Sequence, residues 1–348
     1  MTESRAKPHL AAVLEARADA LVEQVLRGRG WVPHVVAYPG YGSVARDGAP
    51  GWIRVLGRVL LSRPGTAGRP RRQGLVRGWR SFATAPVAGA HVVVTAGSST
   101  RTVRTNRSGY VDAVVECDLP AGTHEVTLRL PDGEPASAVV TVVGAQQTLG
   151  VVSDIDDTVM ITSLPRPLIA AWNTFVLHEQ ARYVVPGMAP LYREIVIRQP
   201  GTLVVYLSTG AFNVAPTLSR FLTRHGYPAG PLLLTDWGPT NAGWFRSGRQ
   251  HKAATLRRLA RELPQVRWLL IGDDGQHDPD IYLDFAREYP QHVRGIAIRQ
   301  LTTGERVLSR GTTGPRPEDH GPAEAPVPEV RAPDGTGLGD ALRRAGLL

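Results

Sequence analysis

The chain has 348 residues, 42% of them hydrophobic, and a net charge of +9, enough to bury a core and, at the usual domain size, to form about two domains. No run approaches the roughly 18 uninterrupted apolar residues of a spanning helix, and charges are scattered through MTESRAKPHLAAVLEARADALVEQVL where a secretory leader would be apolar; a cytoplasmic protein is expected. Cys117 is the single cysteine, which excludes an intrachain disulfide and a Cys-based zinc site and suggests a buried structural thiol.

Residues 1–30 come first, with Leu10, Leu14, Leu21, Val25 and Leu26 at helical spacing between mixed charges. This predicts an amphipathic helix that docks on protein. Residues 31–148 then run in short β-branched stretches (WIRVLGRVLL, AHVVVTAG, HEVTLRL, ASAVVTVVG) cut by NRSG, PAG and PDGE, the rhythm of a small antiparallel β-sandwich of unknown role. Within them, Arg63 to Arg80 holds six arginines and no acid. Two readings stand for it, a solvated loop or a patch for an anionic surface such as lipid. No nucleic-acid-binding motif accompanies the charge, so nucleic acid is not an expected partner.

From 149 to 308 the texture alternates. LGVVSD, TLVVYLS, PLLLT, VRWLLIGDD and VRGIAI are separated by helical segments such as MAPLYREIVIR, VAPTLSRFLTRHG and HKAATLRRLARELP. That alternation predicts a doubly wound parallel sheet with helices on both faces, whose ligands sit at the carboxyl ends of the strands. Residues 309–348 are rich in Pro and Gly and are expected to be a disordered tail, with Leu338 to Leu348 able to form one short helix.

The strand-end rule sorts the polar residues. Asp154, Asp156, Asp157 and Thr158 follow the first strand of the alternating region; Ser208 ends LVVYLS; Lys252 opens the helix HKAATLRRLARE; Asp273, Asp274 and Asp278 follow WLLIG. Three carboxylates in four positions raise one another's pKa and cost folding free energy unless a cation or proton neutralises them. Lys252, read as lying in a first helical turn, opposes the helix dipole, which hints at a functional charge. Asn213 reads as the cap of the helix after Ser208. An EF-hand beginning at Asp154 is excluded, because Val159 and Pro165 stand where it needs Gly and Glu.

Taken together, DxDxT at Asp154 to Thr158, Ser208, Lys252 and the GDxxxxD run ending at Asp278 resemble the haloacid dehalogenase (HAD)-like superfamily of aspartate-based phosphotransferases. The resemblance implies Asp154 as nucleophile and Asp156 as general acid and base. Ser208 and Lys252 would complete the catalytic set, and Thr158, Thr209, Gly210 and Arg246 would serve the substrate phosphate. Mg²⁺ would be held by Asp154, the Asp156 carbonyl, Asp273 and Asp278, the last directly or through water. Arg246 could instead pair with a carboxylate. Dehalogenase-type relatives lack the second catalytic aspartate, so Asp156 favours phosphatase chemistry.

The connecting text SDIDDTV, YLSTGAFNVAPTL, PLLLTDWGP, FRSGRQHK and IGDDGQHDPDIY is similar, over about 149–300, to the catalytic domain of the actin-patch-protein type of phosphatidate phosphatase. That resemblance implies Mg²⁺-dependent hydrolysis of phosphatidic acid to diacylglycerol and phosphate by an enzyme able to touch an anionic membrane. Fungal members carry serine where Asp274 stands. Substrate choice is expected within 159–190, where Trp172, Phe175 and Tyr183 either meet acyl chains or pack a cap helix. The alternatives are a phosphatase of a soluble phosphomonoester and a non-catalytic binding protein with a vestigial site.

Overall fold

The computed structural model describes residues 21–63, 85–161, 183–235, 244–275, 277–305 and 326–348. They form a mixed α/β protein of two compact units, one drawn from Met1–Gly40, Trp52–Leu119 and His124–Val140, the other from Tyr41–Gly51, Pro120–Thr123 and Thr141–Leu348. Residues 21–28 are helical, and Leu21, Val22 and Val25 are exposed there; the rest of the expected N-terminal helix lies outside the described residues. So do residues 64–80 of the arginine-rich stretch and residues 162–182, including Trp172 and Phe175.

Seven strands make the sheet of the first unit: β1 (Val32–Ser43), β2 (Trp52–Ser62), β3 (His91–Ala96), β4 (Ser99–Arg104), β5 (Tyr110–Glu116), β6 (Gly122–Arg129) and β7 (Ala136–Val143). They hydrogen-bond in the order β4-β3-β6-β7-β1-β2-β5, and the pairs β2/β5, β3/β4 and β3/β6 are antiparallel. Alternation explains why: β3 buries Val92, Val94 and Ala96 and turns His91 and Thr95 outward, the period of a strand with one wet face. Cys117 is buried and free, as a structural thiol should be.

The second unit is built on β8 (Leu149–Ser153), whose five residues are all buried, the pattern of a central strand covered on both sides. In chain order follow β9 (Met160–Ile161), β10 (Tyr183–Val184), α1 (Met188–Arg198), β11 (Leu203–Ala211), α2 (Ala215–Arg224), β12 (Leu232–Thr235) and α3 (Trp244–Glu262). Then come β13 (Arg267–Asp273), α4 (Asp278–Glu288), β14 (Val293–Arg299), β15 (Glu329–Ala332) and α5 (Gly335–Arg344). The sheet order is β12-β11-β8-β13-β14-β15 and every pair in it is parallel. From β8 the chain builds outward first through β11 and β12, then on the other side through β13 to β15. That reversal opens a crevice at the carboxyl ends of β8, β11 and β13.

Residues 326–348 depart from the expected disordered tail. β15 adds to the sheet edge in register with β14, Ile296 opposite Glu329 through Arg299 opposite Ala332, and α5 buries Leu338 and Leu342. The physical reason is local: Val330 and Ala332 are spaced for a strand and Leu338 and Leu342 for a helix. Asp334 caps that helix by accepting from the Gly337 amide at 2.9 Å. Arg343 clamps both Glu194 oxygens at 2.8 Å. The helix falls where Leu338 to Leu348 are expected to allow one; Pro and Gly averaged over the longer window hid the four-residue strand.

Candidate active site

Asp154 follows β8 directly, and its amide donates to the Ile271 carbonyl of β13 at 2.9 Å, which seats it at the crevice. Ser153 Oγ donates to the Asp154 carbonyl at 2.6 Å and shares a 2.5 Å hydrogen bond with Tyr192 Oη of α1. The chain then turns. Asp157 adopts a left-handed φ of 58°, its amide donates to the Met160 carbonyl at 2.8 Å, and the Val159 and Met160 amides both reach the Ile155 carbonyl.

Lys252 bridges two carboxylates, with Nζ at 2.6 Å from Asp154 Oδ1 and 2.5 Å from Asp278 Oδ1. All three side chains are at most 7% exposed. Burial presses the Lys252 amine down, but the attraction of Asp154 and Asp278 outweighs it and holds the ammonium above its ordinary range. Lys252 does not lie in a first helical turn: α3 begins at Trp244, so the argument from the helix dipole fails. What is unusual about Lys252 is its burial. α3 passes close to β11 at Gly248, where a Cβ would stand 3.0 Å from Thr209 Cγ2.

Asp273 ends β13, and its Oδ1 accepts from the Gly275 amide at 2.7 Å. Asp278 opens α4, where a carboxylate is favoured by the positive end of the helix. Gly272 admits it: a Cβ there would lie 2.7 Å from Asp278 Oδ2 and 2.8 Å from Tyr282 Cε2. Each of Asp154, Asp273 and Asp278 offers one oxygen, and the three lie within 4.8 Å of one another. Burial, then the neighbouring carboxylates, raise Asp273 well above the usual range; burial does the same to Asp154 although Lys252 opposes it.

Among the described residues, six aspartates at this end of the sheet are buried (154, 156, 157, 273, 274 and 278) against two buried cations, Lys252 and Arg299. Asp278 Oδ2 is buried with no hydrogen-bond partner. An excess of buried carboxylate with an unengaged oxygen fits a hard divalent cation bound by oxygens.

The remaining residues singled out in the sequence take these places. Asp156 Oδ2 accepts from Ser208 Oγ at 3.0 Å, and Ser208 Oγ accepts from the Gly210 amide at 2.9 Å. The Thr209 and Gly210 carbonyls receive Thr235 Oγ1 at 3.0 and 3.1 Å, which fixes the loop backbone. Thr158 is fully buried and its Oγ1 has no partner among the described residues. Asp274 Oδ1 accepts from the Leu301 amide at 2.8 Å, so that oxygen serves the chain after β14 and lies outside the metal-competent trio. α2 is capped at Val214, with no side-chain cap bond, and Asn213 falls in the preceding 3-10 turn. Arg246 lies in the first turns of α3, its side chain outside the described set. Tyr183 stands 68% exposed on β10.

Two features went unmarked in the sequence. Tyr192 sits in an ordinary amphipathic helix and left no signal. Arg299 ends VRGIAIR, where the strand-end rule would have found it.

Residues 149–300 match the family model described as phosphatidate phosphatase APP1, catalytic domain. Phosphatidate phosphatase APP1 of Saccharomyces cerevisiae is 24% identical over 152 residues, 43% of this chain and 26% of the yeast protein. An uncharacterized protein of Schizosaccharomyces pombe is 27% identical over 167 residues, 47% of this chain and 27% of its own length. The chain thus spans about a quarter of the length of these curated relatives. A carbohydrate acetylesterase from Xanthomonas citri overlays with a TM-score of 0.26 at 10% identity, over 74% of this chain and 69% of that one, a likeness too slight to bear on the fold.

Proposed function

We propose, on the match of residues 149–300 to the phosphatidate phosphatase APP1 catalytic-domain model, that this chain is a Mg²⁺-dependent phosphatase working through an aspartyl-phosphate, with phosphatidic acid as its substrate. The observation that carries the reading is the buried ammonium of Lys252 bridging Asp154 and Asp278, with Asp273 in reach of both. In this reading residues 149–308 form a HAD-like doubly wound domain, preceded by a small β-sandwich, and the protein is cytoplasmic and visits the membrane from there. Among the described residues no helix is long and apolar enough to cross a membrane.

Asp154 attacks phosphorus and displaces the diacylglycerol oxygen, which takes its proton from Asp156; Asp156 then draws a proton from the water that cleaves the aspartyl-phosphate. The Ser208 bond to Asp156 holds that carboxyl in place. Lys252 orients Asp154 and offsets charge on the phosphoryl group. Asp154, the Asp156 carbonyl, Asp273 and Asp278 would hold Mg²⁺, which when bound supplies charge neutralisation at the phosphoryl oxygens. Thr158, Thr209, Gly210 and Arg246 are assigned to the substrate phosphate, and the stretch from Arg63 to Arg80 to contact with anionic lipid.

The test is phosphate release from phosphatidic acid in mixed micelles, with and without Mg²⁺, beside soluble phosphomonoesters, using wild type and Asp154→Asn. Lipid turnover abolished by the substitution is expected. Turnover of soluble esters alone would keep the mechanism and discard the lipid, and no turnover of any ester would favour a binding protein. Liposome binding should weaken as salt rises; binding indifferent to salt would remove the membrane contact.

A further inference from the structure

Arg299 is a buried arginine that the chemistry above does not use. It ends β14 opposite Asp273 of β13, and its carbonyl accepts from the Asp274 amide at 3.0 Å. Its guanidinium points three ways. Nη1 donates to the Asp157 carbonyl at 2.7 Å, Nη2 to Glu305 Oε1 at 2.6 Å and Nε to the Pro333 carbonyl at 3.1 Å. The side chain is 5% exposed and that of Glu305 15%, so the charge is paired where water is scarce.

Each arm reaches a different segment. Asp157 belongs to the turn that follows Asp154 and carries Asp156. It is not a glycine, yet its φ is 58°, a conformation that costs an L residue about 1 to 2 kcal/mol and persists only where its surroundings hold it. Its amide is held within the turn by Met160; its carbonyl is held by Arg299. Pro333 lies between β15 and α5, in the segment that follows the family-matched residues. Glu305 accepts the Thr302 amide at 2.9 Å, which anchors the third arm. The guanidinium reaches its three acceptors from three separate nitrogens in one plane; an ammonium keeps the charge but gathers its donors on one nitrogen and loses the fork.

We propose that Arg299 is a positioning residue for the reaction, tying the turn that follows Asp154 and carries Asp156 to the C-terminal strand and helix, and that residues 326–348 are therefore part of the catalytic unit. The role in catalysis rests on the reading of Asp154 as nucleophile; the mechanical tie does not. Misplacing reacting groups by about 1 Å costs on the order of 100-fold in rate, so the tie acts on kcat and leaves lipid binding alone.

The test compares full-length wild type, Arg299→Lys and Glu305→Gln by two readouts. In the first, phosphate release from phosphatidic acid, Arg299→Lys is expected to lower kcat by about 10- to 100-fold while KM stays within about threefold. In the second, amide hydrogen exchange, the Asp157, Val159 and Met160 amides of Arg299→Lys are expected to exchange about tenfold faster, with the β1 to β7 strands unchanged. A folded Arg299→Lys with wild-type kcat and wild-type exchange at these amides overturns the proposal, as does a variant altered in KM alone. Where wild type releases no phosphate, the phosphatase reading falls and the exchange readout alone decides the tie. If Arg299→Lys does not fold, Glu305→Gln carries the decision: faster exchange at the same amides supports the tie and unchanged exchange refutes it.

Discussion

Lys252→Met keeps the apolar stem of the side chain and removes its charge, so it isolates the electrostatic contribution. The ammonium lies 2.6 Å from Asp154 and 2.5 Å from Asp278, and without it, among the described residues, the six buried aspartates face one buried cation, Arg299. Breaking a buried ion pair while leaving its partners in place costs about 3 to 5 kcal/mol. The cost depends on pH with a definite sign. Burial already raises Asp154 and Asp273, and Lys252 pulls both back; removing it raises them further. A carboxyl whose folded pKa exceeds its unfolded value destabilises the fold above that folded value and ceases to do so once both states are protonated. The stability gap between wild type and Lys252→Met is therefore widest near neutral pH and narrows toward about pH 4. Mg²⁺ should narrow it as well by replacing the lost charge. Urea unfolding followed by circular dichroism, at several pH values with and without Mg²⁺, measures the gap. A gap below about 0.5 kcal/mol at neutral pH, or one that widens on acidification, would refute the reasoning.

Gly272→Ala should force Asp278 and Tyr282 away from β13, since the added Cβ would stand 2.7 Å from Asp278 Oδ2; a stability loss of about 1 to 3 kcal/mol and a kcat lower by about 100-fold are expected, and near-wild-type phosphate release contradicts the close approach. Leu342→Ala opens a cavity beneath α5, where Leu342 is fully buried, and should cost about 2 to 5 kcal/mol in urea unfolding; a loss under about 1 kcal/mol would mean that the C-terminal helix is dispensable. His251 is held down to about 4 by burial first, against a bond to the Leu233 carbonyl and with help from Arg258 and Lys252. The folded state thus binds fewer protons than the unfolded between its pKa and the ordinary one, so His251 lowers stability as pH falls from about 6.5 toward 4, by up to about 3 kcal/mol. His251→Gln should flatten that slope, and an unchanged stability profile would contradict the assignment.

Legibility followed the range of the signal. Asp154 and Asp273 are readable because each closes an apolar run, and a run of that length fixes both a strand and its polar end. β8, β11 and β13 meet in register, which brings together acids 119 residues apart in the chain. The start of α3 was harder to read. The helix read as opening at HKAATLRRLARE begins at Trp244, and Gly248 within it is small where Thr209 packs against it. Lys252 therefore opposes no helix dipole, and its burial between two acids depends on tertiary contacts that no local pattern carries. The C-terminal strand was obscured differently: β15 has four residues, too few to stand out in a Pro- and Gly-rich window, and it is stable only because β14 offers an edge. Arg299 joins segments from three parts of the chain, and nothing near it in sequence records those partners.

The central claim is that Asp154 becomes phosphorylated. The most direct measurement incubates the protein with phosphatidic acid and Mg²⁺, quenches with acid, reduces with borohydride and maps the peptides by mass spectrometry, since hydride converts an aspartyl-phosphate to homoserine. Homoserine at position 154 alone, absent without substrate, is the result the account predicts. Turnover with no homoserine at 154, or wild-type turnover by Asp154→Asn, would contradict it.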